Sequence, residues 1–514
     1  MAELGILEMV NKTTLFFKTL TEKQILLLLI GITFGLRLYA VLMAKGIAYD
    51  SASYGFMARD FLKGEFLKGL TPAFHPFYPF LISLVSFDST NVEIAGRLIS
   101  LFFGTLTVIP VFYLVKEVVG QKEAIFSGLF YSFHPYLVTY SGMLLSEATY
   151  WGLLTLSVYF FWMGLKRGKI LGLIVSGLFL ALAYLTRPEG IGYLFIFLIW
   201  VVIYGGIKKG WFKKLALIGA LILPLFILTI PYLIHIHRET GQWFISKKAL
   251  EIQFQFLKWG EREGNPSRET ENPHSKILQL ANNIIHNLPF TTYHYLRAYH
   301  FTLWLFLFFG LIRARQKGVR EEWYLASFVL LHLFSLSTFH RSTIRFSVPL
   351  IPISLFWAGA GVLEIQRIFQ KIKIAKPEKL VFALIVLFIF VQLPQTLRPE
   401  RRNREEQKKL GLWLKQNTSQ DAIIMGNSPQ EVFYAGREFI VIPSGIPIRE
   451  GPGMNYREII HFARQKGIKY ILVNSYINET NPDFLESVQK TDAKELYRYK
   501  DRDGKTTFIY DVLY

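Results

Sequence analysis

The chain has no cysteine in 514 residues, so disulfides and thiolate chemistry are excluded, and its redox compartment is left open. Charge is scarce: Asp, Glu, Lys and Arg make up 18% of the chain, against roughly a quarter in a soluble domain. Acids are scarcer than bases, 38 against 57, for a formal net charge of +19. There is no G-x-G-x-x-G and no P-loop, so neither common glycine-rich phosphate cradle is present. No repeat with a period of about 20–50 residues occurs, which excludes a solenoid.

Apolar and aromatic residues fill the space that charge leaves. The chain is 52% hydrophobic and 16% aromatic, with 45 Phe and 26 Tyr. Long apolar runs recur, as in a polytopic α-helical membrane protein. About eleven spans are expected, near 24–43, 96–115, 124–141, 146–165, 169–186, 189–206, 213–234, 298–314, 322–338, 343–363 and 378–395. Two more short spans have room in the first loop, where 74–87 is apolar but Pro-interrupted, giving about eleven to thirteen. Lys12, Lys18 and Lys23 precede a first apolar run of about twenty residues, too long for a cleavable signal. It is expected to be a retained span with its N-terminus in the cytoplasm.

The basic residues alternate with the loops. Lys116 and Lys122; Lys166, Arg167 and Lys169; Lys208, Lys209, Lys213 and Lys214; Arg313, Arg315, Lys317 and Arg320; and Arg367, Lys371, Lys373, Lys376 and Lys379 occupy every second one. The positive-inside rule accounts for this excess without nucleic acid. The extracytoplasmic side of the plasma or inner membrane then receives residues 44–95, the turn at 187–188, the loop 235–297 and everything past 396. The polar middle of that third segment, EREGNPSRETENPHS, has the character of a lid.

Two domains are expected: a transmembrane unit, 1–395, and a soluble unit, 396–514. In the second, strand-like runs AIIMG, EFIVIP, KYILVN, ELYRYKD and TTFIYDVL alternate with helical PQEVFYAG and YREIIHFARQKG, and a hairpin is expected at Asp503-Gly504. This is the pattern of a small α/β domain.

Polar residues collect at the outer ends of the spans. Asp50 follows the first, Glu147 opens the fourth, and Arg187 and Glu189 join the fifth and sixth. His294, Tyr295, Arg297 and His300 precede or start the eighth, and His340, Arg341 and Arg345 open the tenth. A carboxylate at a membrane boundary is costly to keep charged and is a functional candidate by default. Asp50 and Glu147 are suited to supply a general base and a second group that orients the acceptor or holds a divalent metal. The arginines are suited to clamp a phosphate. A base, a hydroxyl acceptor and a lipid-phosphate leaving group together describe glycosyl transfer from a polyprenyl-phosphate sugar. The plain structural alternatives are helix caps, a Pro-broken turn and interfacial anchors.

The motifs Tyr49-Asp50-Ser51-Ala52-Ser53-Tyr54 with Ala58-Arg59, His75-Pro76-Phe77-Tyr78-Pro79, Leu145-Ser146-Glu147, Thr186-Arg187-Pro188-Glu189-Gly190 and RSTIRFSVPLIP from Arg341 resemble the GT-C superfamily of membrane glycosyltransferases. Within it they are similar to family 39, which holds the protein O-mannosyltransferases and the lipid A aminoarabinose transferase. The resemblance implies an inverting transferase using a polyprenyl-phosphate sugar and a lipid, glycan or protein acceptor. Asp50 matches the family's catalytic acid and Glu147 its second acidic position. His75, Arg187, Arg341 and Arg345 would hold the donor phosphate; Tyr54, Arg59, Tyr78, Glu189 and His340 are further substrate-contact candidates. Asp50-Ser51 stands where protein mannosyltransferases carry Asp-Glu. Two other classes fit the sequence less well: a transporter or lipid flippase, which would bury charge near the midplane and show a repeat, and a receptor whose tail is the binding module.

Overall fold

Helix formation begins with a reciprocal cap. The Thr21 side chain accepts the Gln24 N–H at 3.4 Å while the Gln24 side chain accepts the Thr21 N–H at 2.8 Å, starting helix Glu22–Met43. Leu27 and Leu42 on this helix are 67% and 71% exposed, whereas Ile25 and Leu29 pack inward, which is the arrangement of a lipid-facing span. The computed structural model describes residues 20–71, 74–204, 210–246, 273–313, 319–338, 343–398, 403–442, 455–474, 477, 484–488, 492–502 and 504–514.

Each of the eleven expected spans falls on helix. Among the described residues, five helices are long and apolar enough to cross a membrane: Glu22–Met43, Val92–Val118, Trp211–Thr240, Ile344–Lys371 and Pro377–Thr396. Ala281–Tyr299 and Phe301–Ile312 make a sixth if they are one span bent by 84°. The expected count of eleven to thirteen is not reached on that measure: some stretches are short or interrupted, while Glu147–Arg167 and Val319–Ser337 are long enough but carry more polar, aromatic or charged residues. Helix Ile170–Thr186 has 17 residues. The stretch 124–141 is divided into Gln121–Phe133 and Pro135–Ser141.

That second break has a visible compensation. Pro135 lacks the N–H that would have bonded the Tyr131 carbonyl four residues back. Arg37, fully buried, donates instead to the carbonyls of Tyr131 and Ser132 at 3.3 Å each, and lies 4.6 Å from the Tyr131 ring centroid. At the 84° bend the contacts are between side chains: His300, at φ +70°, has Nδ1 on Thr302 Oγ1 at 2.9 Å and Nε2 on Gln395 Oε1 at 2.7 Å.

The first loop is not a pair of hidden spans. It folds into helices Tyr49–Leu62, Phe66–Gly69 and Phe77–Val85. The last has 9 residues, and at about 1.5 Å per residue it falls well short of the roughly 30 Å hydrocarbon core. With the start of Val92–Leu106 these helices enclose a second apolar core, around Tyr54, Met57, Tyr78, Ile82 and Leu144, which Phe433 completes from far down the chain. The loop expected at 235–297 shortens, because helix Trp211–Thr240 precedes it and helix Pro273–Tyr299 takes up its end. Residues 261–272 of the lid sequence lie outside the described residues.

The C-terminal region is a small α/β unit. Strands β1 (Ile423–Gly426), β2 (Glu438–Val441), β3 (Tyr470–Asn474), β4 (Ala493–Lys500) and β5 (Thr506–Val512) form one sheet in the order β2-β1-β3-β5-β4. β1 pairs parallel with β2 and β3, while β3–β5 and the β4–β5 hairpin are antiparallel, with Gly504 at φ +81° in the turn. Helix Asn403–Asn417 leads into it, and helix Pro429–Ala435 packs between that helix and Tyr49–Leu62.

Burial in helix Pro429–Ala435 pushes the Glu431 carboxyl up to about 7, against a shorter-range opposing effect of the Ser428 hydroxyl at 2.6 Å. The folded state therefore holds a proton that the unfolded chain releases near its ordinary carboxylate pKa. Stability should be greatest at and below pH 4.5 as far as this group is concerned, and should fall as pH rises to about 7. The full loss is about 3 kcal/mol. Melting followed by tryptophan fluorescence between pH 5 and 8 should show this decline in the wild type and a flatter profile in Glu431→Gln.

Candidate active site

Four segments distant in sequence deliver charged side chains to one place. Asp50 sits in the first turn of helix Tyr49–Leu62, where the helix dipole favours an acid; the helix start is tied by the Ala48 N–H donating to Ser51 Oγ at 3.1 Å. Glu147 is the first residue of helix Glu147–Arg167. Arg187 lies between helix Ile170–Thr186 and the 3₁₀ turn Pro188–Gly192, in an extended conformation at φ −151°. Proline disfavours helical geometry in the residue before it, so Thr186-Arg187-Pro188 must leave the helix there. Arg345 belongs to the short turn Ile344–Ser347 that opens the tenth span.

Arg345 joins the two acids. Its Nη1 is 2.7 Å from Asp50 Oδ2, and its Nε donates to Glu147 Oε1. Arg187 approaches the same carboxylate oxygen from its own Nη1 at 3.0 Å, and its Nη2 reaches Glu189 Oε1 at 3.1 Å. Burial opposes charge on Arg187, but Glu189 and Glu147 outweigh it and hold its pKa well above the ordinary arginine value. The result is an alternating chain, Asp50–Arg345–Glu147–Arg187–Glu189.

Exposure divides the chain by task. The Glu147 side chain is 0% exposed and that of Arg187 8%, whereas Asp50 and Arg345 keep 22% and 30%. Asp50 and Arg345 form one accessible end of the ion-pair chain, and Glu189, 29% exposed, is the other. Glu147 lies behind them, with Oε2 unpartnered among the described residues.

The remaining candidates are placed differently. Tyr54, 3% exposed, bonds Ser146 Oγ at 2.8 Å beside Glu147, and burial raises its phenol pKa. Tyr78 is fully buried, with its hydroxyl on the Gly96 carbonyl at 2.9 Å, and packs edge-on against Tyr54. Both tyrosines line the back of the cluster rather than its open side. His75, 2% exposed, stands between the rings of Tyr184 and Tyr232 at 5.0 and 5.1 Å. Arg59 turns away: it donates to the Ser89 carbonyl at 3.1 Å and lies 4.1 Å over the Phe433 ring, where burial lowers its pKa to about 10. His340 and Arg341 lie outside the described residues.

A divalent ion does not suit this arrangement. The Arg345 guanidinium already pairs with both Asp50 and Glu147 and occupies the space between them. Among the described residues no group of three or more His, Asp or Glu side chains is placed to hold a metal.

Two residues near the site were not among the candidates. Glu93 and Arg97 pair at 2.5 Å where helix Val92–Leu106 begins, and Arg97 is 5% exposed. Their signal was in the sequence: an Arg at the outer end of a span, where basic residues are disfavoured, with an acid four residues before it.

Residues 72–235 match the profile of a family described as dolichyl-phosphate-mannose-protein mannosyltransferase. No curated protein sequence matches the chain significantly. Among solved structures, ArnT from Cupriavidus metallidurans bound to undecaprenyl phosphate is similar at TM-score 0.60 and 12% identity, over 94% of this chain and 97% of that one. The oligosaccharyltransferase AglB from Archaeoglobus fulgidus, in complex with an inhibitory peptide and a dolichol-phosphate, is similar at TM-score 0.51 and 12% identity, over 94% of this chain and 73% of that one.

Proposed function

We propose that the chain, an integral membrane protein of the GT-C fold, is a glycosyltransferase that moves a sugar from a polyprenyl-phosphate carrier to an acceptor outside the cytoplasm. The observation that carries this reading is the Arg345 guanidinium, held between an accessible acid, Asp50, and a buried one, Glu147. In the reaction, the acceptor hydroxyl oxygen attacks the anomeric carbon while Asp50 takes its proton. The bond from that carbon to the phosphate oxygen breaks, and the polyprenyl phosphate leaves with the electron pair. Attack opposite the leaving group inverts the anomeric centre.

Arg345 is the partly exposed cation beside the base, and it receives the charge that builds on the departing phosphate. Arg187 supports it from behind through Glu147. Glu147, out of reach of solvent, keeps the two guanidinium groups at a fixed spacing. His75 and Arg341 are proposed as further donor-phosphate contacts. The division between a membrane unit, 1–395, and a soluble unit, 396–514, with the soluble unit and the site both outside the cytoplasm, belongs to the same reading.

A panel of polyprenyl-phosphate sugars, read by thermal shift and by release of polyprenyl phosphate, tests it. A true donor at about one hundred times its Kd should stabilise the protein by about 2.7 kcal/mol. Arg345→Lys should weaken that donor roughly 10- to 100-fold, because an ammonium cannot replace a bidentate guanidinium. If no donor binds and no glycosyl product forms, while proteoliposomes move a labelled solute or lipid, the chain is a transporter instead.

A further inference from the structure

The path from the first span to Asp50 is short and irregular. Helix Glu22–Met43 ends at Ala44, and helix Tyr49–Leu62 begins five residues later with Asp50 as its second residue. Such a connection has few backbone bonds of its own. Here Arg97 supplies them. Its Nη1 donates to the Ala44 carbonyl at 2.9 Å and its Nη2 to the Gly46 carbonyl at 2.9 Å, with a longer contact to the Val41 carbonyl at 3.4 Å. A planar guanidinium directed at carbonyls on both sides of a turn fixes the direction in which the chain leaves it.

Arg97 is itself held, and the grip comes from the soluble domain. Glu93 Oε1 takes the Arg97 Nη2 at 2.5 Å and the Tyr434 hydroxyl at 3.2 Å, while Glu93 Oε2 takes Lys408 Nζ at 3.3 Å. Lys45, inside the turn, pairs with Glu405 at 3.2 Å. A Cβ on Gly46 would lie 2.5 Å from the Arg404 carbonyl oxygen, so the soluble domain's leading helix rests directly on the turn. On the far side of Asp50, the Phe433 ring packs where Gly55 has no side chain, with Phe56 at 6.0 Å and Arg59 at 4.1 Å. The soluble domain thus grips the segment carrying Asp50 both before and after the acid.

We propose that the soluble domain is a positioning element of the active site. Through Lys408 and Tyr434 it orients Glu93, Glu93 orients Arg97, and Arg97 sets the turn that aims Asp50. This rests on the reading of Asp50 as the base. None of these residues touches the reacting atoms, so their loss acts on kcat through geometry. A misplacement of about an ångström at a general base is worth up to roughly 100-fold in rate.

The test uses the full-length protein in detergent or nanodiscs, with Arg97→Met, Arg97→Lys and the pair Lys408→Met with Tyr434→Phe. Hydrogen–deuterium exchange reads the amides of residues 46–52, undecaprenyl phosphate serves as the thermal-shift probe, and turnover is measured on the donor that the panel identifies. Arg97→Met should speed exchange in that segment at least about tenfold and lower kcat about 10- to 100-fold. The undecaprenyl phosphate shift and the donor KM should remain within about threefold. Arg97→Lys should recover part of kcat, and the soluble-domain pair should reproduce the direction of Arg97→Met at smaller size.

Unchanged exchange and kcat in Arg97→Met and in the pair would overturn the proposal. So would a kcat loss that travels with an equal loss of undecaprenyl phosphate binding. If Arg97→Met does not fold, the soluble-domain pair decides alone by the same criteria. Asp50→Asn separates the two levels: if it is inactive while the Arg97 and soluble-domain variants are normal, only the positioning role fails. If Asp50→Asn is active, the base assignment fails and the positioning role with it.

Discussion

Asp50→Asn should remove glycosyl transfer while leaving the protein folded and able to bind undecaprenyl phosphate. Asparagine matches the shape of aspartate and keeps one acceptor oxygen, but it takes no proton from an acceptor hydroxyl. General-base catalysis is typically worth about 10²- to 10⁴-fold, so a loss in that range or beyond is expected in kcat. Stability should change little. Asp50 keeps 22% of its side-chain exposure, and Arg345 retains Glu147 when the Asp50 charge is gone. Release of polyprenyl phosphate from the donor, measured beside the thermal shift with undecaprenyl phosphate, separates the two effects. Turnover within a few-fold of wild type would remove Asp50 as the base; loss of binding together with turnover would make it a structural acid.

Glu147→Gln should fail in the opposite way. Glu147 is fully buried and accepts from both Arg187 and Arg345. Without its charge the two guanidinium groups lose the carboxylate they share, and each keeps one acid, Arg345 with Asp50 and Arg187 with Glu189. Breaking a buried pair costs about 3–5 kcal/mol when a charge is left uncompensated; the acids that remain on each arginine place the expected loss at the lower end, still enough to lower the melting temperature clearly. Removing Arg187 as well should return part of the loss, since the neutral amide then faces one guanidinium instead of two. A double-mutant cycle with Arg187→Gln should therefore show a coupling above about 1 kcal/mol. A Glu147→Gln protein that melts like wild type yet is inactive would place Glu147 in the chemistry instead of behind it.

These contrasting outcomes separate two acids that the sequence treats alike. Asp50 and Glu147 both stand at the outer end of a span, beside small polar neighbours. Only their exposure distinguishes them, and exposure follows from packing. Helix Glu147–Arg167 runs through the centre of the bundle, with Trp151, Phe161 and Trp162 fully buried. Helix Tyr49–Leu62 packs against helix Pro429–Ala435 of the C-terminal α/β unit, and Asp50 keeps 22% of its side-chain exposure.

The arginines divide similarly. Arg59, Arg187 and Arg345 were all legible as outer-face cations. The structure brings Arg187 and Arg345 to Glu147, while Arg59 is one helical face away and meets Phe433. A helix turns about 100° per residue, so the nine positions between Asp50 and Arg59 put their side chains well apart around the axis. Sequence spacing alone does not reveal which of those faces the partner covers. Arg97 is an outer-end cation of the same kind, and only the structure shows that it bonds the carbonyls of the turn before Asp50.

Local pattern by itself determined the helical membrane class, the helical character of the apolar stretches and the small α/β tail with its five strands. Each of these depends on periodicity, apolar length or turn chemistry within some twenty residues. Tertiary structure alone decided that Arg345 bridges Asp50 and Glu147, that one acid is open and the other enclosed, and that residues past 403 grip the turn before Asp50. Those facts depend on which faces meet across separations of up to about four hundred residues, and side-chain contact at that range leaves no period in a single sequence.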